Sequence, residues 1–124
     1  MTRITLSSLI VTALAAVMFL MPASAMSSQK LVGTVGPSFT ITLKQGSKKV
    51  TKLKAGKYTF VVHDKSSIHN FTVEQEKGGK FEKHVTSTPF VGTKTVTITL
   101  KARSWKYYCS VHESTMFGFV KVTS

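Results

Sequence analysis

The chain has 124 residues, of which 17 are lysine or arginine and 5 are aspartate or glutamate, so its formal net charge is +12. This length is enough for one compact domain and excludes a second one of ordinary size. The positive charge favours an acidic partner protein or an anionic surface. Because the lysines are dispersed over turns and strands, as on solvated faces and guarded strand edges, we expect no nucleic-acid binding.

The first 25 residues are predicted to be a cleavable secretory signal peptide. Arg3 precedes an apolar run that extends from about residue 6 to residue 21, and Ala23 and Ala25 are the small residues of a cleavage site. A membrane anchor is the alternative, but the run is shorter than the roughly 20 residues of a typical span. We therefore expect export to the periplasm or the extracellular space, with residues 26–124 forming one mature domain.

A period-two pattern of β-branched and aromatic residues begins at Lys30, and turn residues such as Gly36 and Pro37 divide it. No segment has a convincing helical period. The chain is therefore predicted to be all-β, an antiparallel β-sandwich or a closed barrel. The predicted strands are 30–35, 38–44, 49–53, 58–63, 70–75, 94–101, 105–109 and 118–122.

Two histidines lie in positions that favour solvent exposure. The alternation in the strand 58–63 directs Tyr58, Phe60 and Val62 inward and leaves His63 on the opposite face. His84 lies in the segment 76–92, which is predicted to be the longest irregular connection. We expect neither His63 nor His84 to bind a metal.

A group of metal-binding residue types lies near the C-terminus. The only cysteine, Cys109, shares a short connection with His112 and Met116 at the spacing C-x₂-H-x₃-M, and His69 upstream offers a further ligand. Small exported domains usually carry paired cysteines as disulfides. A lone thiol in an oxidising compartment is protected when a metal occupies the sulfur.

The donor set favours copper. Two imidazoles and one thiolate with a weak, distant thioether are the ligands of a blue-copper electron-transfer site. A structural zinc site would use more cysteines, and a catalytic zinc site would leave a position open for water. The sequence therefore predicts one copper ion bound by His69, Cys109 and His112, with Met116 as the axial ligand.

The segments Ser67–Phe71, Tyr108–His112 and Met116–Gly118 resemble the cupredoxin family, especially its small exported bacterial plastocyanin-like and pseudoazurin-like members. The resemblance implies a Greek-key β-sandwich with one type 1 copper that carries single electrons between redox partner proteins. It also implies a hydrogen bond between Asn70 and Ser110 that ties the two ligand loops together.

Two exits for the electron are predicted. His112 should present its ring edge near the surface, with Phe117 in an apolar docking patch around it. The side chain of Tyr108 should point to the opposite face of the strand from Cys109, and it would form a second exit for the electron next to the sulfur.

Three other functions fit these residues less well. An enzyme with Cys109 as nucleophile and His112 as base would need an orienting group and an oxyanion cradle, which the sequence does not suggest, so we expect no enzymatic activity. A copper carrier or store of the cell envelope is the alternative function. Such proteins often use paired cysteines or methionine-rich tracts. Residues 26–124 contain only two methionines, Met26 and Met116. A metal-free adhesion domain is disfavoured by the ligand spacing. We expect a monomer.

Overall fold

A computed structural model describes residues 28–124, and the predicted signal peptide lies outside the described residues. This part of the chain contains ten strands. They are β1 (Gln29–Val35), β2 (Ile41–Gln45), β3 (Lys48–Lys49), β4 (Lys52–Lys54), β5 (Gly56–Asp64), β6 (Thr72–Gln75), β7 (Glu82–His84), β8 (Gly92–Leu100), β9 (Arg103–Tyr108) and β10 (Phe117–Thr123).

The strands form two five-stranded sheets, in the orders β3-β2-β1-β5-β8 and β4-β10-β9-β6-β7. One hydrophobic core joins them, with Leu31 and Phe60 from the first sheet and Trp105 and Val120 from the second. The prediction of an all-β sandwich is confirmed. From Ser28 to Ser124 the structure has no helix that is long and apolar enough to cross a membrane.

The predicted antiparallel pairing is corrected at two places, because β1 pairs with β5 and β4 pairs with β10 in parallel. All other pairings are antiparallel. Parallel neighbours need a crossover connection and are therefore distant in sequence. The alternation of side chains predicts which face of a strand is buried. It does not predict which distant strand is the neighbour, or whether the two run parallel.

Two predicted segments differ from the observed strands. The stretch predicted as one strand, 49–53, is divided between β3 in the first sheet and β4 in the second, and the chain crosses between the sheets at Val50 and Thr51. The segment 76–92 contains the short strand β7, whose three side chains are all exposed. An exposed edge strand shows no apolar alternation, which is the reason that the sequence pattern missed it.

The inward alternation predicted for β5 is confirmed, since Tyr58, Phe60 and Val62 are all buried. Beneath the predicted ligand loops, the rings of Phe71 and Tyr107 stack with their centroids 5.9 Å apart. Gly33 makes room for this pair, because a Cβ at that position would come within 2.7 Å of the Phe71 ring. These two rings thus form a packed aromatic layer next to the loops that carry the predicted ligands.

Candidate metal centre

The connection between β9 and β10 is a tight loop that begins at Cys109 and ends at Met116. The Cys109 N–H donates to the Met116 carbonyl oxygen at 3.0 Å, and the N–H groups of His112 and Met116 donate to the carbonyls of Cys109 and His112 at 3.1 and 2.9 Å. These backbone bonds fix the loop internally, so its side chains have little freedom to move relative to one another.

The connection between β5 and β6 carries His69 and is held by local polar contacts. The Asp64 carboxylate accepts a hydrogen bond from the Ser66 N–H at 3.1 Å, and the Ser66 hydroxyl accepts one from the Ile68 N–H at 3.3 Å. Short polar side chains commonly stabilise turns in this way. The turns place the His69 side chain, which is fully buried, against the β9–β10 loop.

Three predicted ligand atoms converge at this end of the sandwich. The Nδ1 atoms of His69 and His112 are 3.0 Å apart, and the Cys109 Sγ lies 3.9 Å from the first and 3.7 Å from the second. A single ion with bonds of about 2.0 Å to nitrogen and 2.3 Å to sulfur can contact all three atoms at such separations. The residues that the sequence places 40 positions apart are therefore brought into one site.

Burial of the site suits a redox metal. His69 and Cys109 have no exposed surface, whereas His112 is only half-buried. The soft thiolate and the two imidazoles fit copper in a trigonal arrangement. His69 Nε2 is buried without a hydrogen-bond partner in the described chain. The other ring nitrogen, Nδ1, is the atom that faces the Cys109 sulfur and the His112 ring.

Met116 lies at the end of the same loop and is 1% exposed. Its backbone is bonded to both Cys109 and His112, so the residue is fixed beside the two ligands that share its loop. A thioether beside two imidazoles and a thiolate is the donor set of a type 1 copper site, so Met116 stays the predicted axial ligand next to the converging group of His69, Cys109 and His112.

Asn70 ties the two loops together, and the predicted hydrogen bond to Ser110 is present. The Asn70 side-chain amide donates to the Ser110 hydroxyl at 2.7 Å, and its carbonyl oxygen accepts from the Ser110 N–H at 2.9 Å. The Asn70 backbone N–H donates to the Cys109 Sγ at 3.4 Å. One residue therefore orients the sulfur and holds the loop that carries it.

Phe39 covers the two imidazoles and was missed by sequence reasoning. Its ring meets His69 and His112 edge to face, with centroids 5.0 and 4.8 Å apart, although 58% of the residue is exposed. The β1–β2 turn that carries Phe39 approaches closely at Gly36, where φ is +74° and a Cβ would meet the Ser66 Cβ at 2.8 Å. An exposed aromatic residue in a glycine-proline turn was the available signal, but only the fold brings that turn to the ligands.

Tyr108, the predicted second exit for the electron, is only 5% exposed. Its hydroxyl donates to the Glu74 carboxylate at 2.8 Å, and the Lys106 ammonium lies 4.9 Å from the centre of its ring. Burial, together with the hydrogen bond to Glu74 and the charges of Glu74, Glu82 and Glu113, raises the pKa of Tyr108. An electron that left the protein through Tyr108 would therefore have to pass the charged side chains that cover this residue.

Phe117 lies on the outer face of the second sheet. It is 45% exposed, packs edge to face against Phe119, and lies beneath the Lys106 ammonium. The aromatic ring in contact with His112 is that of Phe39.

The two histidines expected outside the site have other partners. His63 Nδ1 lies 2.9 Å from the Thr93 hydroxyl, and His84 Nδ1 lies 2.7 Å from the Thr72 hydroxyl. Neither belongs to the histidine and cysteine group that could hold a metal in the described chain.

No family model and no curated protein matches this sequence. Several solved structures have the same fold. Reduced rusticyanin, studied by NMR, has a TM-score of 0.52 at 16% identity, covering 78% of this chain and 79% of that one. A rusticyanin variant with a substituted methionine has a TM-score of 0.50 at 20% identity, covering 78% and 80%. A reduced amicyanin variant has a TM-score of 0.50 at 15% identity, covering 79% and 86%. The likeness shows that the chain has the cupredoxin fold.

Proposed function

We propose that this protein binds one copper ion through His69, Cys109 and His112, with Met116 as a weak axial ligand, and carries single electrons between partner proteins. The observation that carries the proposal is the convergence of two imidazole Nδ1 atoms and one thiol Sγ within 4.8 Å of one another. The structurally similar rusticyanin and amicyanin were studied in reduced forms, so the same fold supports redox chemistry in those proteins.

Copper held in this way would accept one electron in its cupric state and release it from its cuprous state. The protein's residues supply a fixed and dry surrounding for that exchange. The bonds within the β9–β10 loop and the bridge from Asn70 to Ser110 keep the donors in place. Donors held in this way would need little rearrangement when a bound copper changed its oxidation state. The N–H of Asn70 donates to the Cys109 sulfur and would help to set the reduction potential of a bound copper.

The exposed side chains near His112 form the proposed docking patch. Phe39 lies against the His112 ring, and Ile68 and Val111, which neighbour ligands in the sequence, are more than half exposed. Phe117 is proposed as a further contact beside the patch. Such exposed apolar residues suit brief contact with a redox partner, and the net positive charge would speed the encounter with an acidic one.

Electron transfer is favoured over the rival functions. A catalytic cysteine must reach its substrate, but Cys109 has no exposed surface. A copper carrier must release its ion readily, whereas the ligands here come from two loops that are locked together. We further propose that the protein is exported and works as a monomer in the periplasm or outside the cell.

The test is to add Cu(II) to the purified protein and to record visible absorption, paramagnetic resonance and voltammetry. We expect an intense visible band that saturates at one copper per chain, and reversible one-electron cycling without loss of metal. Copper that binds but leaves the protein on reduction, or that passes as Cu(I) to a chelator of moderate affinity, would support the carrier function instead. A protein that stays colourless would refute the site.

A further inference from the structure

Acidic and basic side chains are segregated in this protein. All four glutamates of the sequence, Glu74, Glu76, Glu82 and Glu113, interact around Lys106 and Tyr108. The only other acid, Asp64, is buried. The remaining surface is therefore left to the lysines, without acidic side chains between them.

The lysines are densest on one edge of the sandwich, where the edge strands β3 and β4 lie next to β2 and β10. We call this surface the lysine edge. Its members are all exposed: Lys44, Lys48, Lys49, Lys52, Lys54 and Lys121. In the described part of the chain the only Lys-to-carboxylate ion pair is formed by Lys106 and Glu113, so none of these six has such a partner.

The fold places like charges directly opposite one another on this edge. Lys44 is the cross-strand neighbour of Lys49, and Lys52 is that of Lys121. Like charges in such positions destabilise a sheet. A polyanionic surface would offset that repulsion, which makes the lysine edge electrostatically complementary to phosphate groups in an array.

The lysine edge lies away from the metal end. The strand β10 begins next to Met116 and reaches Lys121 five residues later, about 16 Å further along an extended strand. An acidic redox partner that docked on this edge would sit too far from His112 to use the docking patch. A passive anionic support is therefore a better occupant than an electron donor or acceptor.

The position of the N-terminal connection favours a membrane as that support. The described chain begins at Ser28, and Gln29 is hydrogen-bonded to Gln45 at the end of β2, on the side of the lysine edge. The apolar run of residues 6–21, which the sequence predicts to enter a membrane during export, ends shortly before this point. During export, before the predicted cleavage, the lysine edge would therefore be the charged surface on the side of the chain that follows this run.

We propose that the lysine edge binds peripherally to a bilayer of anionic phospholipid and holds the protein with its metal end directed away from the membrane. Juxtamembrane lysines are attracted to anionic leaflets within a Debye length. The orientation leaves Phe39 and His112 accessible to a partner. The binding depends only on surface charge and does not require copper.

The experiment is co-sedimentation with vesicles, using protein expressed from the full sequence and purified in the form that the cell yields. We expect binding to vesicles that contain phosphatidylglycerol, little binding to pure phosphatidylcholine, and loss of binding as salt is raised. Replacing Lys44, Lys49 and Lys52 together by Gln should weaken binding to the anionic vesicles by about a hundredfold, since each lysine near the surface contributes roughly a factor of five.

The matched control replaces Lys65, Lys83 and Lys94 by Gln, which removes the same charge from exposed lysines outside the edge. This control should keep its affinity within about twofold. Equal weakening by both triple variants would overturn the proposal, because the net charge alone would then govern binding. Tighter binding to a soluble polyanion or to an acidic protein than to the vesicles would overturn the choice of a bilayer. Lack of binding to anionic vesicles at low salt would also overturn the proposal. The lysines would then serve only to block pairing of the edge strands with other chains.

Discussion

The Cys109 sulfur is the residue-level feature on which the proposed chemistry depends. It receives the Asn70 N–H and faces two imidazole nitrogens at 3.7 and 3.9 Å. We expect Cys109→Ser to lose the intense visible band of the Cu(II) protein, because the charge transfer originates at the thiolate. Far-ultraviolet circular dichroism should show an unchanged β fold. The control His63→Ala, at a histidine outside the site, should keep the band; a band that persisted in the serine variant would refute sulfur ligation.

Met116 should control the potential more than the affinity. A weak axial thioether tunes a blue-copper site without holding the metal, and leucine has a similar volume, so packing should survive the change. We expect Met116→Leu to bind copper and to have a shifted reduction potential in voltammetry. An unchanged potential would show that the thioether is not an axial ligand.

Asn70 should matter for stability even without metal. Asn70→Ala removes both side-chain hydrogen bonds to Ser110, so the β5–β6 and β9–β10 loops can move independently. We expect a loss of about 1–3 kcal/mol in the free energy of unfolding of the apo protein, measured in denaturant. Ser110→Ala removes only the hydroxyl and keeps the bond to its N–H, so it should cost less. If both variants were neutral, the bridge would not stabilise the fold.

At this scale the sequence predicted three side chains that converge, but only part of what surrounds them. Asn70 and Ser110 each follow a ligand directly, so the family resemblance identified their bond. Phe39 has no sequence relation to any ligand and reaches the imidazoles only through the β1–β2 turn. The burial of Tyr108 likewise depends on Glu74 and Lys106 from its own and the neighbouring strand, whose conformations no local pattern fixes.

At the level of strands, local chemistry predicted which segments form strands better than it predicted which strands pair. Strands with one buried face, such as β5 and β8, follow from alternation alone. The change of sheet at Val50 was missed, although Val50 and Leu53 are both buried and an odd spacing would put them on opposite faces of one continuous strand. Strand β7 is held by pairing with β6 rather than by burial of its own side chains.

The pairing of β2 with β3 gives a prediction at this scale. Lys49 faces Lys44 across the strands, whereas Lys48 faces the uncharged Gln45. We expect Lys49→Glu to raise the free energy of unfolding by about 0.2–1 kcal/mol, since it replaces a repulsive pair by an attractive one. The matched change Lys48→Glu should gain less. The difference between the two variants should shrink in high salt, and a larger gain for Lys48→Glu would contradict the observed register.

For the whole molecule, composition predicted the sign of the charge but not its arrangement. The net charge of +12 follows from the sequence. Three glutamates gather around Tyr108 only when β6, β7 and β9 pair, and the lysines align on two edge strands only when β3 and β4 meet at one side. The charged surface is thus a product of topology.

Alkaline pH should destabilise the whole molecule through its three tyrosines. Burial raises the pKa of Tyr58, Tyr107 and Tyr108 above the usual value near 10.0, and the glutamates raise that of Tyr108 further. The folded state therefore holds the phenolic protons more tightly than the unfolded state does. Their contribution to stability is complete below about pH 10 and is lost progressively as the pH rises above it.

The expected result is a free energy of unfolding that falls above about pH 10, with each tyrosine contributing up to about 1.4 kcal/mol per pH unit. Tyr108→Phe should make this fall less steep, because the variant has one fewer group that must lose its proton on unfolding. Comparison with the wild type at each pH cancels the titration of the lysines, which both proteins share. Denaturant unfolding combined with ultraviolet titration of the phenols measures both quantities. Identical slopes in the two proteins would mean that Tyr108 ionises as readily in the folded state as in the unfolded chain.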